Sequence, residues 1–150
     1  MRVVLQRVNH ATVQVDGTEI AGIGRGILAL VAISKEDARR DLEWMARKVV
    51  ELRIFDDPEG KLNLSLQDIG GEILLVSQFT LYGDCRKGRR PSYSDAAPPA
   101  EAEKLYEEFV SIVRGLVPAA QSGKFQAMMD VELVNAGPVT LVLDSRGSAA

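Results

Sequence analysis

The chain has 150 residues, of which 46% are apolar and 26% charged, and a formal net charge of −3. These are the proportions of one ordinary globular domain, and they argue against disorder and against a membrane protein. The negative balance excludes a protein that coats nucleic acid through its bulk field, so any such contact must be local. A single cysteine, Cys85, and a single histidine, His10, exclude an intramolecular disulfide and a zinc cluster of the Cys/His type, and no metal or cofactor is expected.

Taken in chain order, Arg2 to Val8 and Ala11 to Val15 read as strands. The N-terminal apolar run is too short, and too interrupted by Gln6 and Arg7, for a secretory signal, so a cytoplasmic protein is expected. Asp16-Gly17 before Thr18 is a strong two-residue hairpin signal. Gly22, Gly24 and Gly26 have the spacing G-x-G-x-G and precede a β-like run, Ile27 to Ile33, which marks a bend between strands rather than a dinucleotide-binding loop. Ser34 is a candidate helix cap with Glu36 and Asp37 in the first turn, and Ala38, Leu42, Met45 and Val49 form the apolar stripe that follows. Trp44 lies off that stripe, at a half-buried helix edge. Leu52 to Phe55 reads as a short strand, Asp56 to Gly60 as a turn, and Leu62, Leu64 and Leu66 as an extended segment.

The stretch from Ile73 to Tyr93 changes character along its length. Ile73 to Val76 is an apolar run suited to a strand covered on both faces. Ser77-Gln78-Phe79-Thr80-Leu81 continues it but brings hydroxyl and amide groups to the strand end, which makes that end a candidate site. Gly83-Asp84 then turns the chain. Arg86, Lys87, Arg89 and Arg90 follow as a cationic loop around Gly88, a footprint for a polyanion or, more simply, a solvated face.

Pro98 and Pro99 introduce a second helix, Ala100 to Leu116, with Leu105, Phe109, Ile112, Val113 and Leu116 on its buried face and Tyr106 beside them. From Lys124 the period changes to two. Phe125, Ala127, Met129, Val131 and Leu133 share one face of an expected strand. Asn135-Ala136-Gly137-Pro138 interrupts it, and Val139 to Leu143 resumes, as in a hairpin with a Gly-Pro corner. The tail, 145–150, is expected to fray. The fold class is α/β: mixed β-sheet layers covered by two main helices, in a β(2)-(αβ)2-β(3)-like order, forming a single compact domain over residues 1–150 with an additional β layer.

Ser77-Gln78-Phe79-Thr80-Leu81 together with Asn135-Ala136-Gly137-Pro138-Val139-Thr140 closely resembles the D-aminoacyl-tRNA deacylase family. The likeness extends from MRVVLQRV through LRIFDD and KLNLSL to NAGPVT. It implies hydrolysis of the ester joining a D-amino acid, or glycine mischarged on alanine tRNA, to the terminal adenosine, as proofreading in trans. The resemblance places Ser77, Gln78, Phe79 and Thr80 along the substrate pocket, with Phe79 acting through its backbone N–H. It makes Phe125 and Met129 pocket walls, although periodicity alone leaves them equally as core residues. It makes Gly137-Pro138 a cis dipeptide that enters the active site of a partner subunit and rejects L-amino acids, with Arg7 steadying it. A homodimer and a tRNA partner follow from it, and no DNA or membrane partner.

Neither motif contains His, Asp, Glu, Lys or Cys, so the ordinary general bases are missing where hydrolysis is expected. An aminoacyl ester is already activated, and the neighbouring ribose hydroxyl can assist water while backbone N–H groups stabilise the oxyanion. Thr80 is the one candidate nucleophile, but without a neighbouring base its hydroxyl is weak and positioning is its preferred role; His10 and Cys85 are structural or incidental, and Gln78 and Asn135 can simply satisfy buried carbonyls. Two other functions fit the same residues. One is a non-catalytic RNA-binding module that uses Arg86 to Arg90, and the other is a small-ester hydrolase whose basic loop is only surface.

Overall fold

A computed structural model describes residues 1–147. Its first strand, β1 (Arg2–Val15), is unbroken where two strands are expected. Alternate residues Val3, Leu5, Ala11 and Val13 are fully buried, as a half-covered strand requires. Asn9 and His10 lie inside it and are exposed. His10 therefore belongs to the ladder, opposite Val134, and not to a connection. The expected hairpin is present: Asp16 and Gly17 both have positive φ, 51° and 75°, the backbone a tight two-residue turn demands, and β2 (Thr18–Ile23) pairs back on β1.

The glycine-spaced bend leads to β3 (Gly26–Ala32), antiparallel to β1, and β6 (Glu72–Ser77) lies parallel on its other side. Parallel neighbours need a crossover. Here it comprises α1 (Arg39–Glu51) and the small hairpin of β4 (Phe55–Asp56) with β5 (Leu62–Leu64). A second crossover, α2 (Pro99–Leu116), carries the chain to β7 (Gln121–Ser122), parallel to β6. The last strand, β8 (Asp130–Asp144), runs antiparallel along the edge of β1 that β2 and β3 leave open.

Two cores result, because β3 and β6 are apolar on both faces. Ile27, Ala29, Ile73 and Leu75 pack with Leu42, Met45 and Val49 of α1 and with Tyr106, Phe109 and Val113 of α2. Leu28, Leu74 and Val76 point the other way, onto Val8, Ala11, Val13, Ala21 and Ile23, with Met129, Val131 and Leu133 beside them. The sheet therefore coils over itself in a near-barrel, which supplies the additional β layer.

Several sequence expectations are displaced by local hydrogen bonding. The first helix begins at Arg39 rather than at Ser34, because the Asp41 carboxylate takes the Ala38 N–H (2.9 Å) and caps the helix there. Asp37 instead turns back to the Ser34 N–H (2.7 Å) and to the Met1 amino group. Leu66 is buried but outside β5. Leu81 does not prolong β6, since Phe79–Tyr82 winds into a 3₁₀ turn. Residues 124–129 are not a strand but turn at Phe125 and Gln126, where Gln126 has φ 58° and the Ala127 N–H bonds to the Lys124 carbonyl (3.3 Å). The Asn135-Pro138 segment is no hairpin corner either, because β8 runs through it. Residues 148–150 of the tail expected to fray lie outside the described residues.

The close approach of β3 to β6 rests on Gly26, where an added Cβ would lie 1.8 Å from the Glu72 carbonyl oxygen. Gly26→Ala should lower the unfolding free energy by about 2–3 kcal/mol, as overpacking against backbone does. Gly115→Ala is the control, because nothing lies within 4 Å of its added Cβ, and it should stabilise by up to ~1 kcal/mol through helix propensity. Urea midpoints of the two variants that move together would contradict this account of the strand contact.

Candidate active site

Strand β6 ends in a polar lip whose position is set from behind. The buried Tyr106 hydroxyl donates to the Leu75 carbonyl (2.9 Å), and burial pushes its pKa up, keeping it a neutral donor. The Gln78 N–H bonds to the Val31 carbonyl (2.7 Å), which ties the lip to β3. The chain then enters the 3₁₀ turn Phe79–Tyr82. At the start of such a turn the N–H groups of Phe79 and Thr80 have no acceptor within the helix, so they are the donors this geometry offers to a ligand. The Gln78 side-chain amide donates to Thr80 Oγ1, fixing the hydroxyl.

In front of the lip lies a cleft of about 870 Å³. Ser77, Gln78, Phe79 and Thr80 line one side, and Phe125 and Met129 stand among the walls. Six of the residues singled out from sequence are thus brought together. Tyr93, the segment 96–99, Ala102 and Met128 also line the cleft, and sequence reasoning did not assign them. The only cue was that Tyr93 closes the cationic stretch. Among the described residues no His, Asp, Glu, Lys, Arg or Cys lines this cleft. Nor do any three or more His, Cys, Asp and Glu cluster in a way that could hold a metal ion. The site is an apolar hollow with polar groups at one end, suited to orienting a small substrate rather than to acid–base chemistry by side chains.

Gly137, Pro138 and Arg7 are not part of this cleft. Between Gln6↔Thr140 and Val8↔Asn135 the β1–β8 register shifts, so Ala136, Gly137, Pro138 and Val139 all stand opposite the single residue Arg7. The buried Arg7 guanidinium fills the gap. Nε donates to the Ala136 carbonyl (3.0 Å), Nη1 to the Ile54 carbonyl (2.8 Å), and Asp56 Oδ1 is 3.5 Å away. Asn135 closes the base of the excursion by donating to the carbonyls of Arg7 and Val139, both at 3.0 Å. The expected cis bond at Gly137-Pro138 is not found, as no peptide bond among the described residues is cis. The turn is made instead by Gly137, whose φ of 104° is open to glycine alone. An added Cβ there would also fall 1.9 Å from Arg7 Nη2.

The cationic loop follows the 3₁₀ turn in the chain and is exposed from Cys85 to Arg90. Its base is closed by the Asp84↔Ser92 bridge, with N–H···O distances of 2.7 and 3.0 Å. Arg86 is committed to Asp84 (2.7 Å), and that hydrogen bond pulls the Asp84 carboxyl down to about 2. Lys87, Arg89 and Arg90 are exposed, and no ion pair holds them among the described residues. Cys85 is exposed in the same loop.

Comparison with known proteins places the chain in a family. Residues 4–144 match the family described as D-Tyr-tRNA(Tyr) deacylase. A D-aminoacyl-tRNA deacylase of Desulfatibacillum aliphaticivorans is 58% identical, over 97% of this chain and 100% of its own. One of Thermotoga petrophila is 54% identical, over 97% of each. A solved structure of a c-Myc DNA unwinding element binding protein superposes with a TM-score of 0.91 at 44% identity, over 96% of this chain and 98% of that one. A probable eukaryotic D-amino acid tRNA deacylase shares the fold, with a TM-score of 0.81 at 21% identity over 95% of this chain and 97% of that one. With the match running through both the polar lip and the Asn135–Thr140 excursion, the chain belongs to the D-Tyr-tRNA(Tyr) deacylase family.

Proposed function

We propose that this chain hydrolyses the ester of D-aminoacyl-tRNA, and of glycine mischarged on alanine tRNA, as a proofreading step in the cytosol. The observation that carries the reading is the cleft itself: backbone donors and an apolar hollow, without a side-chain base, beside a cationic loop. Such a site can cleave only an ester that is already activated and brings its own proton-transfer group. The ribose hydroxyl next to the ester meets that need. It takes a proton from the attacking water as the water oxygen bonds to the carbonyl carbon. The N–H groups of Phe79 and Thr80 hold the oxyanion, and collapse expels the other ribose oxygen, which picks up the proton. Free D-amino acid and tRNA result. Ser77, Gln78 and Thr80 orient the substrate, and Phe125 and Met129 wall its side chain.

Discrimination against L-amino acids is assigned to Gly137-Pro138 of a second subunit, which enters the cleft and leaves no room for an L side chain while a D side chain or glycine's hydrogen passes. Two features support a homodimeric site. Gly137 and Pro138 are exposed and outside their own chain's cleft. Strand β8, with Val134 and Val142 exposed, pairs only with β1 among the described strands. No helix among the described residues is long and apolar enough to cross a membrane. One relative's name refers to DNA, but a net charge of −3 with a single cationic loop is the wrong field for a duplex-coating protein.

Mixing the protein with D-aminoacyl-tRNA and with a free D-amino-acid ester tests the reading. Rapid cleavage of the former alone is expected, whereas binding without cleavage favours an RNA-binding module and cleavage of both favours a small-ester hydrolase. Thr80→Ala should keep activity within about tenfold, a loss suited to a positioning group, and a terminal 2′-deoxyadenosine should lose more. A dead but folded Thr80→Ala enzyme that still tolerates the deoxy substrate would overturn the mechanism.

Replacing Lys87, Arg89 and Arg90 together by Ala should weaken binding to many tRNAs alike. It should also flatten the dependence of log K on log salt by about 2–3, roughly 0.7–0.9 per lost phosphate contact. Arg86→Ala should do less, since Asp84 already neutralises it. An unchanged salt slope in the triple variant would remove the loop from the RNA interface. Gly137→Ala, which must displace Arg7 or the excursion, should relax rejection of the L-ester more than it slows the D-ester. A variant as selective as wild type would take the excursion out of the filter.

A further inference from the structure

The aromatic rings at the mouth of the cleft have no part in the chemistry just described. Phe79 is 54% exposed and Tyr93 is 39% exposed, and both line the cleft. Their centroids are 5.1 Å apart at an interplanar angle of 68°. An edge-to-face pair occupies one ring face and leaves others open to a planar ligand.

Their placement gives them a direction. Phe79 opens the 3₁₀ turn, flanked by Gln78 and Thr80, whose hydrogen-bonded side chains line the same cleft. Tyr93 follows the bridge that closes the cationic loop, and its ring rests against Gly83, where an added Cβ would lie 3.2 Å from Tyr93 Cε1. The pair thus lines the cleft beside Gln78 and Thr80, and in the chain Phe79 and Tyr93 flank the loop that carries Lys87, Arg89 and Arg90. Exposed aromatic faces beside cations are the recurring means of holding an unpaired nucleotide, because every base has a π-face and the backbone beside it is anionic.

We propose that Phe79 and Tyr93 form a platform on which the terminal nucleobase of the RNA stacks, placing its ribose ester at the Ser77–Thr80 lip while Lys87, Arg89 and Arg90 take the phosphates that follow. This rests on the aminoacyl-tRNA reading and deepens it. Stacking is tolerant of base identity, so the platform recognises an unpaired end rather than a sequence.

The test pairs substrate and protein changes. D-aminoacyl-tRNA ending in adenosine is compared with the same RNA carrying an abasic terminal ribose, using wild type, Tyr93→Phe, Tyr93→Leu and Tyr93→Ala. With the normal end, Tyr93→Leu and Tyr93→Ala should raise KM about tenfold and leave kcat within about twofold, the loss expected from one stacked base. Tyr93→Phe should match wild type. With the abasic end, wild type should already show the raised KM and the variants should lose nothing further. Equal losses on both substrates, or no loss on either, would overturn the platform while leaving the deacylase reading intact. Binding of uncharged acceptor-stem hairpins with and without the terminal base gives the same comparison without hydrolysis, so absence of cleavage would sink the deacylase reading alone.

Discussion

The architecture depends on how Arg7 is seated. A fifteen-residue strand, β8 (Asp130–Asp144), can follow β1 along nearly its whole length only if the extra backbone of Ala136 to Val139 is absorbed somewhere. The guanidinium absorbs it. Its planar fork bonds carbonyls on two separate elements, Ala136 and Ile54, with Asp56 nearby to balance the charge. A buried cation with its donors satisfied in this way is tolerated, and truncating it would leave both carbonyls orphaned. The same contact explains the residue at 137, since only glycine combines a positive φ with room for the guanidinium.

The cleft follows a different logic, in which backbone geometry replaces reactive side chains. Strand β6 is held on one side by β3 and from behind by the Tyr106 hydroxyl, so the position of its last residues is rigid. Rigid donors cost no reorganisation when charge develops, and they act most strongly in an apolar hollow. On the proposed reading, that suffices for an ester that carries its own assisting hydroxyl. It also accounts for the lack of ionisable side chains in the lining other than Tyr93 among the described residues.

Much of this was legible in the residues. The Asp16-Gly17 turn, the apolar run ending in Ser77-Gln78 and the stripes of both helices report their environments directly, because turn backbone and burial act on each residue type locally. What was not legible depended on partners distant in the chain. The stretch around Asn9 and His10 looks like a break until β8 is seen to bridge it. The alternation from Phe125 to Met129 mimics a strand, yet those residues form a cleft wall around a left-handed Gln126. Gly-Pro suggests a corner, whereas the chain continues through it because Arg7 and Asn135 replace the missing ladder bonds. Tyr93 offers only its place at the end of the cationic stretch, since what brings it into the cleft lining is the Asp84↔Ser92 closure of that loop.

On the proposed reading, an apolar cleft without a base hydrolyses one enantiomer because the other cannot enter. Single-turnover rates on D- and L-aminoacyl-tRNA carrying the same side chain test that exclusion. Steric exclusion predicts rapid loss of the D-ester while the L-ester persists at its uncatalysed rate. Cleavage of both esters at similar rates under matched conditions would contradict it.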